Sequence, residues 1–179
     1  MRTAADHHVA WSDLVRHSGL ESQDWHVVGV FQAASATYNV TFRAEPELAR
    51  FLDYLFTSGE SFGTSRLYRR AAIYPLRPEY DLSGLRFQFD AEHQVAAAAL
   101  LADDHDADHL YRWITRGDAG RDDVVLAHDS WNEHETAFPS SAFITVSQLR
   151  EVVTQWAFGE VLPPPVVGWV DGPDDLGWL

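Results

Sequence analysis

Apolar residues recur at helical spacing near the start of the chain. The segment 6–18 places Val9, Leu14 and Val15 on one side, and Gly19 follows directly after it. An apolar stripe of this width is typical of a short amphipathic helix, and a glycine commonly ends one. The pattern therefore predicts a helix over 6–18.

Two further helices have both an apolar face and end signals. The first opens at Glu45-Pro46, where proline suits the first turn, and Gly59 fits the position just after its end. Its apolar positions are Leu48, Phe51, Leu52, Leu55 and Phe56. The second begins at Thr145 and Gln148, which form a capping-box signature, and Gly159 marks its end. Its apolar positions are Val146, Leu149, Val152, Val153 and Trp156.

Period-two alternation and short apolar runs predict strands elsewhere. Residues 85–90 alternate apolar and polar, and after a turn at 91–93 the chain returns as the alanine-rich run 94–101, which predicts a hairpin. A second hairpin is expected around residues 32–36. The other predicted strands are Trp25–Phe31, Thr37–Phe42, Ser65–Tyr74, Leu110–Thr115, Val124–Ala127 and Val166–Val170.

This order of elements determines the expected fold class. It contains too few crossover helices for a parallel sheet. We therefore expect an α+β fold, with a mostly antiparallel β-sheet packed by two or three helices. No repeat or long linker divides the chain, so we expect a single domain over 1–179, with a helical extension at 1–24 and an acidic tail at 171–179.

The net charge of the chain limits the classes of partner that it is expected to bind. The chain has 13 basic residues, all of them arginine, against 27 acidic residues, a formal net charge of −14. Nucleic acids and anionic membranes would be repelled by such a surface, whereas a basic protein would be attracted. Solubility alone is the simpler explanation of the charge. The absence of cysteine, of an apolar signal segment and of an 18-residue apolar run predicts a cytoplasmic location.

One motif suggests a serine hydrolase. The run Gly59-Glu60-Ser61-Phe62-Gly63 matches G-x-S-x-G, in which the serine is the nucleophile. That motif requires a strand before the serine and a helix after it, whereas here the predicted helix comes first. A small hydrolase that pairs Ser61 with His105 or His128 remains an alternative.

Histidines and carboxylates do not match a known metal or cofactor signature. His105 and His109 stand four residues apart within an acidic run, but no glycine or glutamate between 103 and 113 completes a calcium loop. His134-Glu135 cannot begin H-E-x-x-H, because Phe138 occupies the second histidine position. We therefore expect no catalytic residue, no metal and no cofactor, and a protein that is not an enzyme.

The span 103–135 predicts a binding surface. It holds ten acidic residues against three arginines, a net charge of −7, interleaved with Tyr111, Trp113 and Trp131. Carboxylates speed encounter with a basic partner, and aromatic residues add short-range affinity. For Tyr111 and Trp113, a position in the core is at least as well supported as an exposed position in this surface. The predicted contact residues are Asp103, Asp104, Asp106, Asp108, Trp113, Asp122, Asp123, Trp131, Glu133 and Glu135.

Two regions of the chain resemble a known family. The segments that carry the resemblance are Leu85-Arg86-Phe87-Gln88-Phe89-Asp90, Val95-Ala96-Ala97-Ala98, Phe138-Pro139, Ile144-Thr145-Val146, Leu149-Arg150 and Val166-Val167-Gly168-Trp169. Over residues 85–170 the chain resembles the deaminase-associated immunity proteins of bacterial polymorphic toxin systems. It departs from them where Gly159 and the prolines 163–165 are separated by three residues.

The resemblance implies a cytoplasmic antidote that binds and occludes the toxin domain of a cognate effector. It also implies that the toxin is a nucleic-acid deaminase, and such an enzyme presents a basic active-site groove to its substrate. No catalytic residue is carried over from the family. A non-catalytic adaptor domain, in which the acidic residues only maintain solubility, is the remaining alternative.

Overall fold

The computed structural model describes residues 8–21, 24–33, 36–71, 81–105, 109–127 and 137–173. The helices in these ranges are α1 (Trp11–Ser18), α2 (Glu45–Thr57) and α3 (Val146–Phe158), with a 3-10 turn at Ser140–Ala142. The strands are β1 (Val9–Ala10), β2 (Trp25–Gln32), β3 (Thr37–Phe42), β4 (Ser65–Ala71), β5 (Asp81–Asp90), β6 (Val95–Asp104), β7 (His109–Arg116), β8 (Ile144–Thr145), β9 (Val161–Leu162) and β10 (Gly168–Asp171).

The main sheet is antiparallel in every described pair, with the order β10-β7-β6-β5-β4-β2-β3. β8 pairs with the start of β6, and β1 and β9 form a separate two-stranded sheet. Both predicted hairpins, β2–β3 and β5–β6, are present. The expected α+β class, with a mostly antiparallel sheet packed by helices, is confirmed.

The three helices bury one face of the sheet. Alternate residues of β6 on this face are small, and α1 and α3 both pack against β5 and β6. Trp156 of α3 is fully buried, and its indole N–H donates a hydrogen bond of 2.9 Å to Ser83 Oγ on β5. α1 lies in the region 1–24, which the sequence predicts to be an N-terminal helical extension. It contributes Trp11 and Leu14 to this same core.

A buried arginine holds the end of α3 to the sheet. Arg69 Nη1 donates to the carbonyl oxygens of Trp156 at 3.0 Å and Gly159 at 2.9 Å, and the guanidinium lies 3.5 Å from the ring centroid of Trp11. Burial lowers the pKa of Arg69 to about 9, while Glu160 acts in the opposite direction. The group is therefore still a cation at neutral pH, and it caps two carbonyls of the helix terminus.

On the opposite face of the sheet, the described residues that cover it form no α-helix. Residues 117–127 and 137–143, called the covering layer below, pack on a second apolar cluster that includes Ala97, Ala99 and Phe143. The predicted strand Val124–Ala127 is wrong: Ala127 forms only an isolated antiparallel bridge with Ala137. The covering layer therefore has little strand pairing of its own.

Most element ends agree with the sequence prediction within a few residues. The helix predicted from residue 6 begins only at Trp11, because Val9–Ala10 form β1 with β9. It ends at Ser18, and Gly19 follows with a φ of 71°. The capping box of Thr145 and Gln148 is formed. β6 extends to Asp104, beyond its predicted end at Leu101, and the last strand is Gly168–Asp171 instead of 166–170. Positions 6–7 of the first predicted helix, 72–74 of a predicted strand and 174–179 of the predicted tail lie outside the described residues.

Within the described ranges, no helix is both long enough and apolar enough to cross a membrane.

Candidate functional site

The predicted contact residues fall into three groups in the structure. Five of them lie outside the described residues: Asp106, Asp108, Trp131, Glu133 and Glu135. Two lie at the end of β6, Asp103 and Asp104, and two lie beyond β7, Asp122 and Asp123. Trp113 lies in the middle of β7. The structure therefore does not gather the described members into one surface.

Trp113 is a core residue. Its side chain is 1% exposed, belongs to the cluster beneath the helices, and stacks on Tyr111 with ring centroids 5.3 Å apart. Buried this deeply, it cannot contact a partner unless the sheet opens. The prediction of Trp113 as a surface anchor is corrected, and the core alternative applies.

Asp104 has a structural contact instead of an open surface. The residue is 7% exposed, and its Oδ1 lies 2.9 Å from Nδ1 of His17 on α1. The pKa of Tyr111 lies above its ordinary value. Burial of the ring is the larger cause, and the nearby Asp104 carboxylate is the smaller one. Asp103 is half-buried, and its carboxylate lies 3.5 Å from the imidazole of His105. Asp104 thus joins α1 to the sheet.

Asp122 and Asp123 are exposed, but they lie at the other end of the sheet. The eight residues of β7 run from the end of the sheet near Asp104 to the covering layer, which carries Asp122 and Asp123. Eight residues of extended strand span about 25 Å. Asp123 forms two bonds with Arg121, of 2.9 and 3.0 Å, and this pairing lowers the pKa of the Asp123 carboxyl. The acidic span of the sequence is therefore divided in space.

An open cleft lies at the sheet end where β5 turns into β6. Its volume is about 470 Å³. Three segments line it: the connection from α2 to β4, the β5–β6 turn, and the end of the covering layer. The lining residues are Gly59, Glu60, Ser61, Phe62, Gln88, Phe89, Asp90, Ala91, Glu92, Val125 and Leu126.

Carboxylates line this cleft from two sides. Glu60 Oε1 accepts a 3.1 Å hydrogen bond from the Tyr54 hydroxyl, which raises the pKa of Tyr54 to about 12. Asp90 accepts from the backbone N–H of His93 and also contacts its imidazole, each at 2.9 Å. Partial burial acts to raise the pKa of Asp90, but these bonds outweigh it and lower the pKa below 3.8. Glu92 is exposed at the turn.

The cleft also has apolar walls. Phe62 and Phe89 lie with ring centroids 6.4 Å apart, and Val125 is 77% exposed. The adjoining part of the covering layer is held by polar side chains of the sheet. Gln88 Oε1 accepts from the Ala127 N–H, and Thr64 Oγ1 donates to the Ala127 carbonyl at 3.2 Å. An exposed apolar side chain beside acceptor-rich walls is an arrangement suited to binding a cationic, partly apolar group.

The cleft contains Ser61, but the local geometry is not that of a hydrolase. Ser61 follows α2 and precedes β4, so the order is helix, turn, strand, the inverse of the nucleophile elbow. His105 follows the far end of β6, about 30 Å of extended strand from the β5–β6 turn beside Ser61. His128 lies outside the described residues. Ser61 and His105 therefore do not form a catalytic pair.

Metal ligation has no support among the described residues, where no group of three or more histidine, aspartate or glutamate side chains is close enough to hold an ion.

Comparison with known proteins gives no match: no family model, no curated protein and no solved structure is similar to this chain.

The sequence prediction missed the cleft as a site, although two signals for it were present. Glu60 to Phe62 drew attention as a hydrolase motif, and residues 91–93 as a turn. Nothing in the local sequence indicates that these segments meet, because they are about 30 residues apart and Val125 is more than 30 residues further on. The pairing of β4 with β5 brings the segment 60–62 close to the turn 91–93.

Proposed function

We propose that this chain is an immunity protein that binds and occludes the toxin domain of a cognate bacterial effector. The observation that carries the proposal is the cleft, which is lined by the carboxylates of Glu60, Asp90 and Glu92 and by the exposed side chain of Val125. The resemblance over residues 85–170 supplies the class of partner, a nucleic-acid deaminase acting in the cytoplasm. No catalytic role is proposed for any residue.

The partner class and the cleft are complementary in charge. An enzyme that acts on nucleic acid must offer lysine or arginine side chains to phosphates. Such side chains are attracted to the carboxylates of the cleft, and their aliphatic stems can pack on Phe62 and Val125. A bound immunity protein would thereby occupy the cationic groups that the toxin needs for its substrate.

The net charge of −14 supports the same proposal at longer range. Opposite net charges on two proteins raise the association rate, and dissolved salt screens this effect over roughly 10 Å at 0.1 M. We expect 1:1 binding with an association rate that falls as salt is added, while the dissociation rate changes less.

The direct test uses the toxin domain encoded by the adjoining reading frame. Its association with the wild-type chain is compared with that of a Glu60→Gln/Glu92→Gln variant, in which the new amide oxygen at position 60 can still accept from Tyr54. The control, Glu21→Gln/Glu151→Gln, removes two exposed carboxylates outside the cleft. We expect the cleft variant to associate about three- to tenfold more slowly and the control to stay close to wild type.

Three results would count against the proposal. A toxin domain that does not bind the wild-type chain would favour an adaptor whose acidic residues serve solubility. Equal association rates for both variants would place the contact elsewhere on the molecule. Toxin that retains full deaminase activity in the complex would rule out occlusion.

A further inference from the structure

We propose that the partner adds an extended segment to the outer edge of β3, and that a cationic side chain at one end of this segment enters the cleft. The inference rests on the proposed function for the identity of the partner. Strand geometry, charge and the contacts between β3 and the cleft define the surface.

β3 is an edge strand without the usual protection. It ends the strand order of the main sheet, and β2 is the only strand beside it in the described part of the chain. Its sequence Thr37–Phe42 contains no charge and no proline, and its six pairs with β2 run without a bulge. Edge strands normally carry a charge, a proline or a bulge that discourages pairing with another chain. Within the described residues, this edge therefore carries none of the three features that discourage an added strand.

The hairpin geometry indicates which backbone groups are available. The Ala33 N–H donates to the Ala36 carbonyl at 2.8 Å, so this pair is a hydrogen-bonded one. Bonded and non-bonded pairs alternate along an antiparallel ladder. Tyr38, Val40 and Phe42 then direct their N–H and C=O groups toward β2. The groups of the other three residues point outward: Thr37, Asn39 and Thr41.

A contact on the other side of β2 agrees with this assignment. The Gln32 carbonyl accepts from the Gly63 N–H on the β4 side of β2, as the same alternation requires. The side chains of the three outward residues are also exposed, whereas Phe42 is buried, so the edge is accessible to another chain. A partner strand would therefore find three donors and three acceptors at alternate positions.

The edge continues directly into the cleft. Tyr38 at the start of β3 lies 6.4 Å, between ring centroids, from Phe62, which lines the cleft. Tyr54, which bonds to Glu60, is 42% exposed. The other end of β3 is followed by Arg43. The residues after Arg43 are acidic as well, since Glu45 and Glu47 are exposed and Glu47 accepts from the Arg43 backbone N–H at 2.8 Å. Carboxylates therefore lie beyond both ends of β3, but the cleft adjoins the Thr37 end.

The position of the cleft determines which way the partner segment lies. Antiparallel pairing is the more stable arrangement per residue, and it places the C-terminal end of the added segment beside Thr37. The cationic residues of the segment should therefore be at its C-terminal end, close to Glu60. A second copy of this chain is a poorer occupant, since two molecules of charge −14 repel each other.

The first experiment uses a synthetic probe, so it does not depend on identifying the toxin. The probe is a blocked ten-residue peptide that alternates threonine and valine and ends in two arginines on its C-terminal side. Binding to the full chain is followed by calorimetry and by NMR hydrogen exchange. We expect slower exchange of the Thr37, Asn39 and Thr41 amides and little change at Tyr38 and Val40. Replacing the two arginines by glutamines should weaken binding about tenfold.

Two substitutions at one position test the backbone contact. Asn39→Pro removes an outward N–H and leaves the ladder to β2 intact, a situation in which edge strands tolerate proline. Asn39→Ala keeps the N–H and removes the side chain. We expect the proline variant to lose at least tenfold in affinity and the alanine variant to bind as wild type. Thr41→Pro provides the same test if Asn39→Pro does not fold.

The outcomes separate this inference from the proposed function. A toxin domain that binds wild type and Asn39→Pro equally well would overturn strand addition while leaving the immunity role standing. A toxin domain that fails to bind, together with a peptide that protects the three outward amides, would overturn the proposed partner only. Unchanged exchange of those amides in saturated peptide, or dimers of the chain that pair through β3, would overturn the inference.

Discussion

The two faces of the central sheet are covered in different ways. α1, α2 and α3 cover one face, and each helix satisfies most of its backbone hydrogen bonds internally. The covering layer on the other face contains only a three-residue 3-10 turn among its described residues. Its backbone must therefore find hydrogen-bond partners elsewhere, because a buried unpaired N–H or C=O destabilises the fold.

Some of those partners lie in the covering layer itself, as where the Phe138 N–H donates to the Leu126 carbonyl at 2.8 Å. Polar side chains in or next to the sheet supply others. Thr115 Oγ1 donates to the Ala142 carbonyl at 2.7 Å and accepts from the Ala98 N–H at 3.1 Å. Thr64 and Gln88 bind the carbonyl and the N–H of Ala127. Polar side chains on this face thus add to the backbone hydrogen bonds that the layer makes within itself. The comparison predicts that the helical face tolerates loss of volume poorly and that the covering layer tolerates loss of polar contacts poorly.

The largest expected effect is a large-to-small substitution on the helical face. Trp156→Ala leaves a cavity between α3 and β5 and should lower the free energy of unfolding by about 4 kcal/mol. The matched change on the other face is Leu126→Ala. We expect a loss of about 2 kcal/mol there, because an irregular segment can relax into the space. Urea titration followed by circular dichroism measures both, and a larger loss for Leu126→Ala would contradict the comparison.

A smaller effect is expected from removing one hydroxyl beneath the covering layer. Thr115→Val leaves the Ala142 carbonyl and the Ala98 N–H without their partner and should cost about 2 kcal/mol. Hydrogen exchange should become faster in residues 137–143. Thr115→Ser keeps the hydroxyl and is the control, with a much smaller expected loss. A valine variant as stable as wild type would show that these bonds do not hold the layer in place.

The same difference explains which parts of the fold the sequence predicts. α2 and α3 are predicted because their apolar residues repeat at helical spacing and end signals flank them, and the β5–β6 hairpin alternates within one short segment. The covering layer is not predicted, because Thr64 and Ala127 are 63 residues apart. Its apolar run Val124–Ala127 resembles a strand locally, but it lacks a neighbour among the described residues with which to form a ladder.

The candidate site was less predictable than the fold for a related reason. Charge counted along the sequence places Asp104 and Asp123 in one acidic span, whereas β7 carries the chain from one end of the sheet to the other between them. Glu60 and Glu92 come together only through the pairing of distant strands. The net charge read from the sequence therefore does not indicate which carboxylates lie together in the fold.

A modest effect is expected from the cap of α3, which adjoins the covering layer. In the capping box the Gln148 N–H donates to Thr145 Oγ1 at 3.1 Å, and the Thr145 N–H donates to Gln148 Oε1 at 2.9 Å. Thr145→Ala should lower the free energy of unfolding by about 1 kcal/mol, and the exposed control Ser147→Ala by much less. Because β8 pairs with β6 at this point, exchange should also become faster at Val95 and Ala96.

The smallest effect is expected at Asp90, where the face under the covering layer, the β5–β6 turn and the cleft meet. Because the pKa of Asp90 in the folded protein lies below 3.8, its ionised form contributes stability above that pH and loses it as the pH falls through the lower folded value. Asp90→Asn should therefore cost about 1 kcal/mol at pH 6, and the difference from wild type should shrink as the pH falls below 3.8. Glu151→Gln, at an exposed position of α3, controls for the removal of one carboxylate. A difference between wild type and Asp90→Asn that stays constant from pH 6 to pH 2 would mean that the bonds to His93 do not depend on the charge of Asp90, and that this turn is held by its backbone geometry alone.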